Sequence, residues 1–321
     1  TVDGWRIDYP STDSAGRPIR LSGFLALPRG VEAKTLVSWQ HGTTTTRSAV
    51  PSNVSTDAMA AAFVFAGTGR AVVAADYLGL GASPLTHTYL VADDTSRAVI
   101  DLLKAVGPVA GVPDTPPFLM GFSQGGHASL AAHAALEVAG QPVRGSAAVA
   151  GPHNLRTISF VEAMKGGAPN HSLYLAYLAR GYCARYGHPL ASVLTDAAAA
   201  RATQLFDTPH KPEEIVAGLP IQPRTLFRPD FLAAFDAAAP HWLLDATAAS
   251  ETSHFTPRAP VRLYYGAADR DVAPQEALTT AAAMQARGAD VTATNVGDVG
   301  HDPSLLAAVP HVLTWLDQLG V

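Results

Sequence analysis

The residues best suited to chemistry in this sequence surround one serine. Residues 121–125 read G-x-S-x-G, with Ser123 at the centre, after the apolar run 117–120 and before a stretch of small, helix-favouring residues. Strand, tight glycine turn and helix are the surroundings that hold a nucleophilic serine exposed at a helix N-terminus. A glycine-rich turn with an incidental serine would match the same short pattern. The hypothesis therefore needs partners for Ser123 elsewhere in the chain.

An acid is the first partner to find, because it holds the catalytic histidine in the right tautomer. Around this type of turn the chain order is serine, then Asp or Glu, then histidine. Asp269 follows the apolar run 261–265, in the loop where such an acid is expected. Asp271 lies in the same loop and is the alternative. We predict Asp269, and a turn that merely caps the next helix is the structural alternative.

The base that takes the serine proton is predicted to be His301. The chain has 12 histidines, and most histidines are structural or simply exposed. His301 differs from the others by its position, after the run 291–296 and directly before a predicted closing helix over 304–319. No H-E-x-x-H or H-x-x-E-H spacing occurs, and the sequence predicts neither a metal nor a cofactor.

Acyl transfer also needs hydrogen-bond donors for the oxyanion. The backbone N–H of Gln124 is one candidate, because the residue after the nucleophile opens the helix. The second is expected from the loop after the predicted strand 35–40, where Gly42 permits close approach and Thr43 or Thr44 supplies its N–H. An ordinary strand-to-helix loop is the alternative.

These residues need a parallel sheet to bring them together. Eight segments are predicted to be strands, and helical segments separate most of them. From about residue 151 to residue 258 the alternation gives way to helical segments and prolines. We predict an α/β fold with a mostly parallel central sheet flanked by helices. The expected domains are a first core part over 1–150, a helical cap over 151–258 inserted after the sixth strand, and a last core part over 259–321.

Composition excludes several classes of protein. Of the 321 residues 48% are apolar, the net charge is −5 and the pI is near 6.1. The sequence contains no basic run that would indicate a nucleic-acid partner. It also contains no apolar run of 18 residues that would indicate stable membrane insertion. The single cysteine allows no internal disulfide. A chain that begins at Thr1 fits a secreted or periplasmic bacterial protein, and the cytoplasm fits as well. The oligomeric state stays open.

Taken together, these motifs resemble the α/β-hydrolase superfamily and, more closely, the secretory lipase family of fungal lipase A-like enzymes and bacterial esterase relatives. Four stretches carry the resemblance: 38–43, 75–81 with its D-Y-x-G-x-G pattern, 121–128 and 149–152. The resemblance implies carboxylic ester hydrolysis with Ser123, Asp269 and His301 as the triad. It also implies an oxyanion hole from Gln124 and the Thr43–Thr44 turn.

The sequence thus predicts a serine esterase or lipase acting on a small-molecule ester through an acyl-enzyme. The alternatives are another acyl substrate, namely a peptide, a thioester or a plant cell-wall ester, and a non-catalytic binding protein on the same scaffold. Acyl length, the alcohol, and the choice between esterase and true lipase stay open. Candidates for the acyl site are the aromatic residues of the cap, although most such residues in a cap are expected to form its own core: Tyr174, Tyr177, Phe206, Phe227, Phe231 and Trp242.

Overall fold

A computed structural model of the chain describes residues 1–320, and all statements below refer to that part. Its strands are β1 (Val2–Thr12), β2 (Pro18–Pro28), β3 (Leu36–Gln40), β4 (Ala71–Ala75), β5 (Phe118–Phe122), β6 (Gly145–Val149), β7 (Val261–Tyr265) and β8 (Val291–Asn295). The α-helices are α1 (Thr56–Phe65), α2 (Ala92–Val106), α3 (Gln124–Val138), α4 (Phe160–Met164), α5 (His171–Tyr186), α6 (Asp196–Asp207), α7 (Pro212–Gly218), α8 (Pro229–Asp236), α9 (Trp242–Ala249), α10 (Gln275–Gln285) and α11 (His301–Gln318).

The eight strands form one sheet in the order β1-β2-β4-β3-β5-β6-β7-β8. The hairpin of β1 and β2 is antiparallel, and β2 joins β4 antiparallel. From β4 to β8 every neighbouring pair is parallel. The carboxyl ends of β3, β5, β7 and β8 therefore lie along one edge of the sheet, where the loops that follow them meet.

Helices cover both faces of this sheet, because its central strands are apolar on both sides. In β4, Val72 belongs to the core that α1 and α11 cover, and the next residue, Val73, belongs to the core that α2 and α3 cover. Successive side chains of a strand point to opposite faces. The continuous apolar run of β4 therefore contributes to both layers.

Between β6 and β7 the chain leaves the sheet and forms α4 to α9, which we call the helical insertion. It has a core of its own, built from residues such as Phe160, Leu194, Phe227 and Leu243. The predicted fold class is confirmed, including the insertion after the sixth strand. The bounds of the three predicted domains stay predictions.

The last helix differs from the prediction at its start. We expected His301 in a loop ahead of a helix over 304–319, and α11 instead begins at His301 with Gly300 as its N-cap. Ser304 donates its backbone N–H to the carbonyl of Gly300, so the first turn already forms there. The histidine is therefore held by helical backbone. No helix within residues 1–320 combines the length and the hydropathy needed to span a bilayer.

Candidate active site

Ser123 lies at the turn between β5 and α3 in a backbone conformation that non-glycine residues rarely adopt, with φ 57° and ψ −121°. Its N–H donates to the carbonyl of Val149 at 2.9 Å. Glycine is required nearby, because a Cβ atom on Gly125 would lie 1.9 Å from the carbonyl oxygen of Gln40. The close approach packs the start of α3 against the end of β3 and fixes Ser123 above the sheet.

The structure brings Ser123, His301 and Asp269 into one chain of hydrogen bonds. Nε2 of His301 lies 2.9 Å from Oγ of Ser123, and Nδ1 lies 2.8 Å from Oδ2 of Asp269. Because an ionised carboxylate only accepts, Nδ1 carries the proton and Nε2 can accept from the serine hydroxyl. This is the geometry in which a histidine activates a hydroxyl group.

The two candidate aspartates have different surroundings. The second carboxylate oxygen of Asp269 accepts the backbone N–H groups of Asp271 and Val272, at 2.9 and 3.0 Å. These bonds leave Oδ2 directed at His301. The carboxylate of Asp271 instead accepts from Nδ2 of Asn170, at the start of α5. Of the two, only Asp269 contacts the histidine.

A second serine, histidine and carboxylate also form a hydrogen-bonded chain. Oγ of Ser146 lies 2.8 Å from Nδ1 of His133, whose Nε2 lies 3.0 Å from Oε1 of Glu137. Ser146 is fully buried in β6 and lines neither of the cavities described below. Its backbone has ordinary strand pairing. This set joins β6 to α3 and has no access to a substrate.

Two cavities meet at Ser123. A narrow cavity of about 50 Å³ runs beneath the helical insertion. Its walls are mostly apolar, and they include Leu155, Phe160, Leu175, Leu178 and Val272. An open cleft of about 400 Å³ lies on the other side and is lined by the loop 41–44, Phe122, His301 and Asp302. Ser123 and Tyr174 line both.

Of the six cap aromatics proposed for the acyl site, only Tyr174 lines the cavity next to Ser123. The other five pack against neighbouring side chains. Tyr177 stacks on Phe206, and Trp242 stacks on His188. Phe227 and Phe231 stack on each other in the core of the helical insertion. The prediction was wrong for these five as wall residues of that cavity. Aromatic composition could not separate the insertion's own core from the pocket it covers.

The D-Y-x-G-x-G stretch supports the candidate oxyanion loop. The hydroxyl of Tyr77 donates to the carbonyl of His41 at 3.1 Å, and the two rings stack with centroids 4.2 Å apart. Gly79, with φ +85°, packs against His87, where a Cβ atom would lie 2.2 Å from backbone. Nδ1 of His87 donates to the carbonyl of Leu78. The motif was visible in the sequence, but its contacts were not.

His87 was not predicted as part of the site, although it contacts a predicted donor residue. Its Nε2 lies 2.9 Å from Nε2 of Gln124. Burial lowers the pKa of His87 to about 4, so its ring is neutral near pH 7 and can accept from the glutamine amide. Burial likewise lowers the pKa of His127 to about 4 and that of His153 to about 3.

The fold and this arrangement define a hydrolase, and the sequence profile of the alpha/beta hydrolase family matches residues 39–312. The chain belongs to that family, which confirms the predicted resemblance. A search of curated proteins found no match.

Several solved structures share the whole fold. A Legionella pneumophila protein classed as a hydrolase is 25% identical, with a TM-score of 0.89 and coverage of 99% of this chain and 87% of that one. The rice cell wall degrading esterase LipA from Xanthomonas oryzae is 24% identical, with a TM-score of 0.86 and coverage of 99% and 90%. Candida antarctica lipase A is 15% identical, with a TM-score of 0.78 and coverage of 99% and 77%. Identity below 25% makes the last two evidence of fold alone.

Proposed function

We propose that this protein is a serine carboxylesterase that hydrolyses esters of short-chain acids through an acyl-enzyme. The 2.9 Å contact between Ser123 and His301 carries the proposal, together with the 2.8 Å contact from His301 to Asp269. His301 takes the proton of Ser123 as Oγ attacks the ester carbonyl. Asp269 stabilises the imidazolium that forms.

The negative charge on the carbonyl oxygen then needs donors. The N–H of Gln124 opens α3, and the loop 41–44 lines the same cleft as Ser123. Within that loop the carbonyl of Gly42 accepts from Nδ1 of His41 at 2.8 Å. Since a trans peptide directs its N–H opposite to its C=O, the N–H of Thr43 points away from the His41 ring. Thr43 and Thr44 both line the cleft with Ser123, and either one supplies the second donor in this proposal.

Three further proton transfers complete the reaction. His301 returns its proton to the leaving alcohol, the C–O bond breaks, and the acyl group stays on Ser123. Water then gives its proton to His301 and attacks the acyl carbon. The acid leaves when Ser123 recovers its proton. No cofactor is needed in this scheme.

The positions of the two cavities support an orientation for the ester. His301 lines the open cleft but not the narrow cavity. The alcohol that it protonates must therefore lie in the cleft, and the acyl chain must enter the cavity. A cavity of about 50 Å³ holds roughly four water-sized groups, at roughly 10–15 Å³ each. This size favours an esterase of short acyl chains over a lipase.

Acyl chain length is the first property to test. We expect kcat/KM to be highest for p-nitrophenyl acetate or butyrate and to fall at least about tenfold at octanoate and palmitate, because an acyl chain longer than the cavity must displace its closely packed apolar walls. The same assays with Ser123→Ala give the background. A preference for palmitate would instead indicate a lipase whose insertion opens.

The same assay separates the alternative substrates. An aminoacyl p-nitroanilide tests for peptide hydrolysis, an acyl thioester tests for thioester hydrolysis, and an ester-linked cell-wall fragment tests the activity named for the Xanthomonas relative. A fluorophosphonate that labels Ser123 excludes a binding protein without a reactive serine. Secretion or export to the periplasm remains part of the proposal, and fractionation of the producing cells tests it.

The identity of the acid gives a second prediction. We expect Asp269→Asn to lower kcat by about 10⁴-fold, because the amide no longer fixes the tautomer of His301. Asp271→Asn should change kcat by less than about fivefold, because that carboxylate contacts Asn170 and not the histidine. Steady-state kinetics on p-nitrophenyl butyrate measure both. A large loss in Asp271→Asn with little effect of Asp269→Asn would reverse the assignment.

A further inference from the structure

Two tyrosine hydroxyl groups from segments outside the helical insertion bond to the loop of residues 41–44, which we call the donor loop. Tyr77 donates to the carbonyl of His41 at 3.1 Å. The hydroxyl of Tyr89 lies 2.9 Å from Oγ1 of Thr43. Both side chains are at least 95% buried. The donor loop is therefore held from its inner side at its first and third residues.

A third tyrosine reaches the donor loop from the helical insertion. Tyr177, on α5, donates its hydroxyl to the carbonyl of Thr44 at 3.1 Å. Its side chain is 3% exposed. The next residue of the helix, Leu178, lines the narrow cavity beside Ser123. One turn of α5 thus contacts both the expected acyl pocket and the loop expected to bind the oxyanion.

The three tyrosines surround one histidine. The ring of His87 lies 6.2 Å from that of Tyr77, 6.1 Å from that of Tyr89 and 5.7 Å from that of Tyr177. Tyr89 and Tyr177 also contact each other, with ring centroids 5.0 Å apart. His87 in turn contacts the side chain of Gln124. The packing therefore connects both expected donors, on the donor loop and at the start of α3, to the helical insertion.

We propose that Tyr177 is a positioning residue, which holds the donor loop in the geometry that stabilises the oxyanion and links the helical insertion to the rate of the chemical step. The inference rests on the proposed esterase function. It assigns α5 a second role, besides forming a wall of the acyl cavity.

The expected effect follows from what the hydroxyl does. Without it the Thr44 carbonyl loses a buried partner, and the donor loop can shift relative to Ser123. Loss of a whole oxyanion donor typically costs about 10²–10³ in kcat. A displaced loop loses part of that, and we expect about a tenfold fall in kcat for Tyr177→Phe. KM should change little, because the donors act on the transition state more than on the bound ester.

Tyr182→Phe is the matched control. Tyr182 lies on the same helix, is equally buried, and donates its hydroxyl to a backbone carbonyl, that of Leu90, at 3.0 Å. Leu90 lines the narrow cavity and is not part of the donor loop. Each variant loses one hydrogen bond to a backbone carbonyl, part-buried for Tyr177 and buried for Tyr182, so Tyr182→Phe should lose at least as much thermal stability. Only Tyr177→Phe should lose kcat.

The experiment compares wild type, Ser123→Ala and the two Phe variants. Steady-state kinetics on p-nitrophenyl butyrate give kcat and KM. A trifluoromethyl ketone, which adds to the serine and places an oxyanion in the hole, gives a second readout. We expect its affinity for Tyr177→Phe to weaken by about the factor lost in kcat, and its affinity for Tyr182→Phe to match wild type.

Two results would overturn the inference. One is a Tyr177→Phe enzyme with wild-type kcat and ketone affinity. The other is an equal loss of kcat in both Phe variants, in proportion to their loss of thermal stability, which indicates a purely structural role. In either case Ser123-dependent turnover of the wild type leaves the proposed function standing. A wild type without Ser123-dependent turnover overturns the function and the inference together.

Discussion

Ser123→Ala is expected to lower kcat/KM for p-nitrophenyl butyrate by about 10⁴-fold or more. Oγ of Ser123 lies 2.9 Å from Nε2 of His301, which is the contact expected between a nucleophile and its base. A loss of 10⁴-fold corresponds to about 5.4 kcal/mol of transition-state stabilisation. His301→Ala should cost a similar factor, because the serine is a weak nucleophile without its base.

A variant that combines both substitutions tests more directly whether Ser123 and His301 act together. Residues that act as a unit show strongly non-additive losses, so Ser123→Ala combined with His301→Ala should be about as slow as either single variant. Multiplied losses in the double variant would mean that the two residues act independently.

Ser146→Ala is the control for this prediction. Ser146 also contacts a histidine that contacts a carboxylate, but it is buried in β6 away from both cavities. We expect its variant to keep kcat/KM within about threefold of wild type. Loss of activity in Ser146→Ala with retention in Ser123→Ala would move the active site to Ser146 and contradict the proposed mechanism.

The free energy of unfolding is expected to fall by about 4 kcal/mol between pH 7.5 and pH 5.5. His87, His127 and His153 are buried, and burial lowers their pKa values to about 4, 4 and 3. In the unfolded chain a histidine has a pKa of about 6.5. Below pH 6.5 these histidines therefore bind protons in the unfolded state but not in the folded state. The free energy of unfolding falls as the pH falls toward 4. Each histidine contributes about 1.4 kcal/mol per pH unit.

Two acids work in the opposite direction. Burial raises the pKa values of Asp57 and Glu276, so protonation of these residues favours the folded state at low pH. They are two groups against three histidines, and the net change should remain destabilising. The loss is large relative to the 5–15 kcal/mol by which proteins of this kind are typically stable.

Urea unfolding at the two pH values measures the effect. His127→Gln, which removes one titrating group at a ring whose Nε2 contacts the carbonyl of Ser250, should reduce the loss by about a third. His311→Gln removes an exposed histidine and should leave the loss unchanged. Equal stability at pH 7.5 and pH 5.5 in the wild type would show that the three rings are accessible to protons in the folded state.

The sequence by itself determined the order and type of the elements. Each of the eight predicted strands is present, and the clearest signals came from central strands such as β4, which is continuously apolar because it is buried on both faces. The G-x-S-x-G turn identified Ser123, since few sequences allow a residue with φ 57° between a strand and a helix. Position after a strand led to the prediction of His301, one of 12 histidines, and its Nε2 lies 2.9 Å from Oγ of Ser123.

Only the tertiary structure separated alternatives that are equivalent along the chain. Asp269 and Asp271 lie in one loop, and the choice between them depends on which carboxylate faces His301. Tyr174 and Phe231 are both aromatic residues of the helical insertion, yet one lines a cavity and the other fills a core. Neither difference has a local signal, because it arises from contacts between separate segments, 32 positions apart for Asp269 and His301 and 101 positions apart for Asp271 and Asn170.

For the same reason the sequence gives no local signal for the residues that support the site. Tyr177 meets Thr44 across 133 positions of the chain, and His133 meets Ser146 in a bonded chain that resembles the one at Ser123. A motif specifies the backbone of its own turn. The packing of distant elements determines whether a hydroxyl is exposed, which group it contacts and how much space lies beside it. Only the tertiary structure shows these properties.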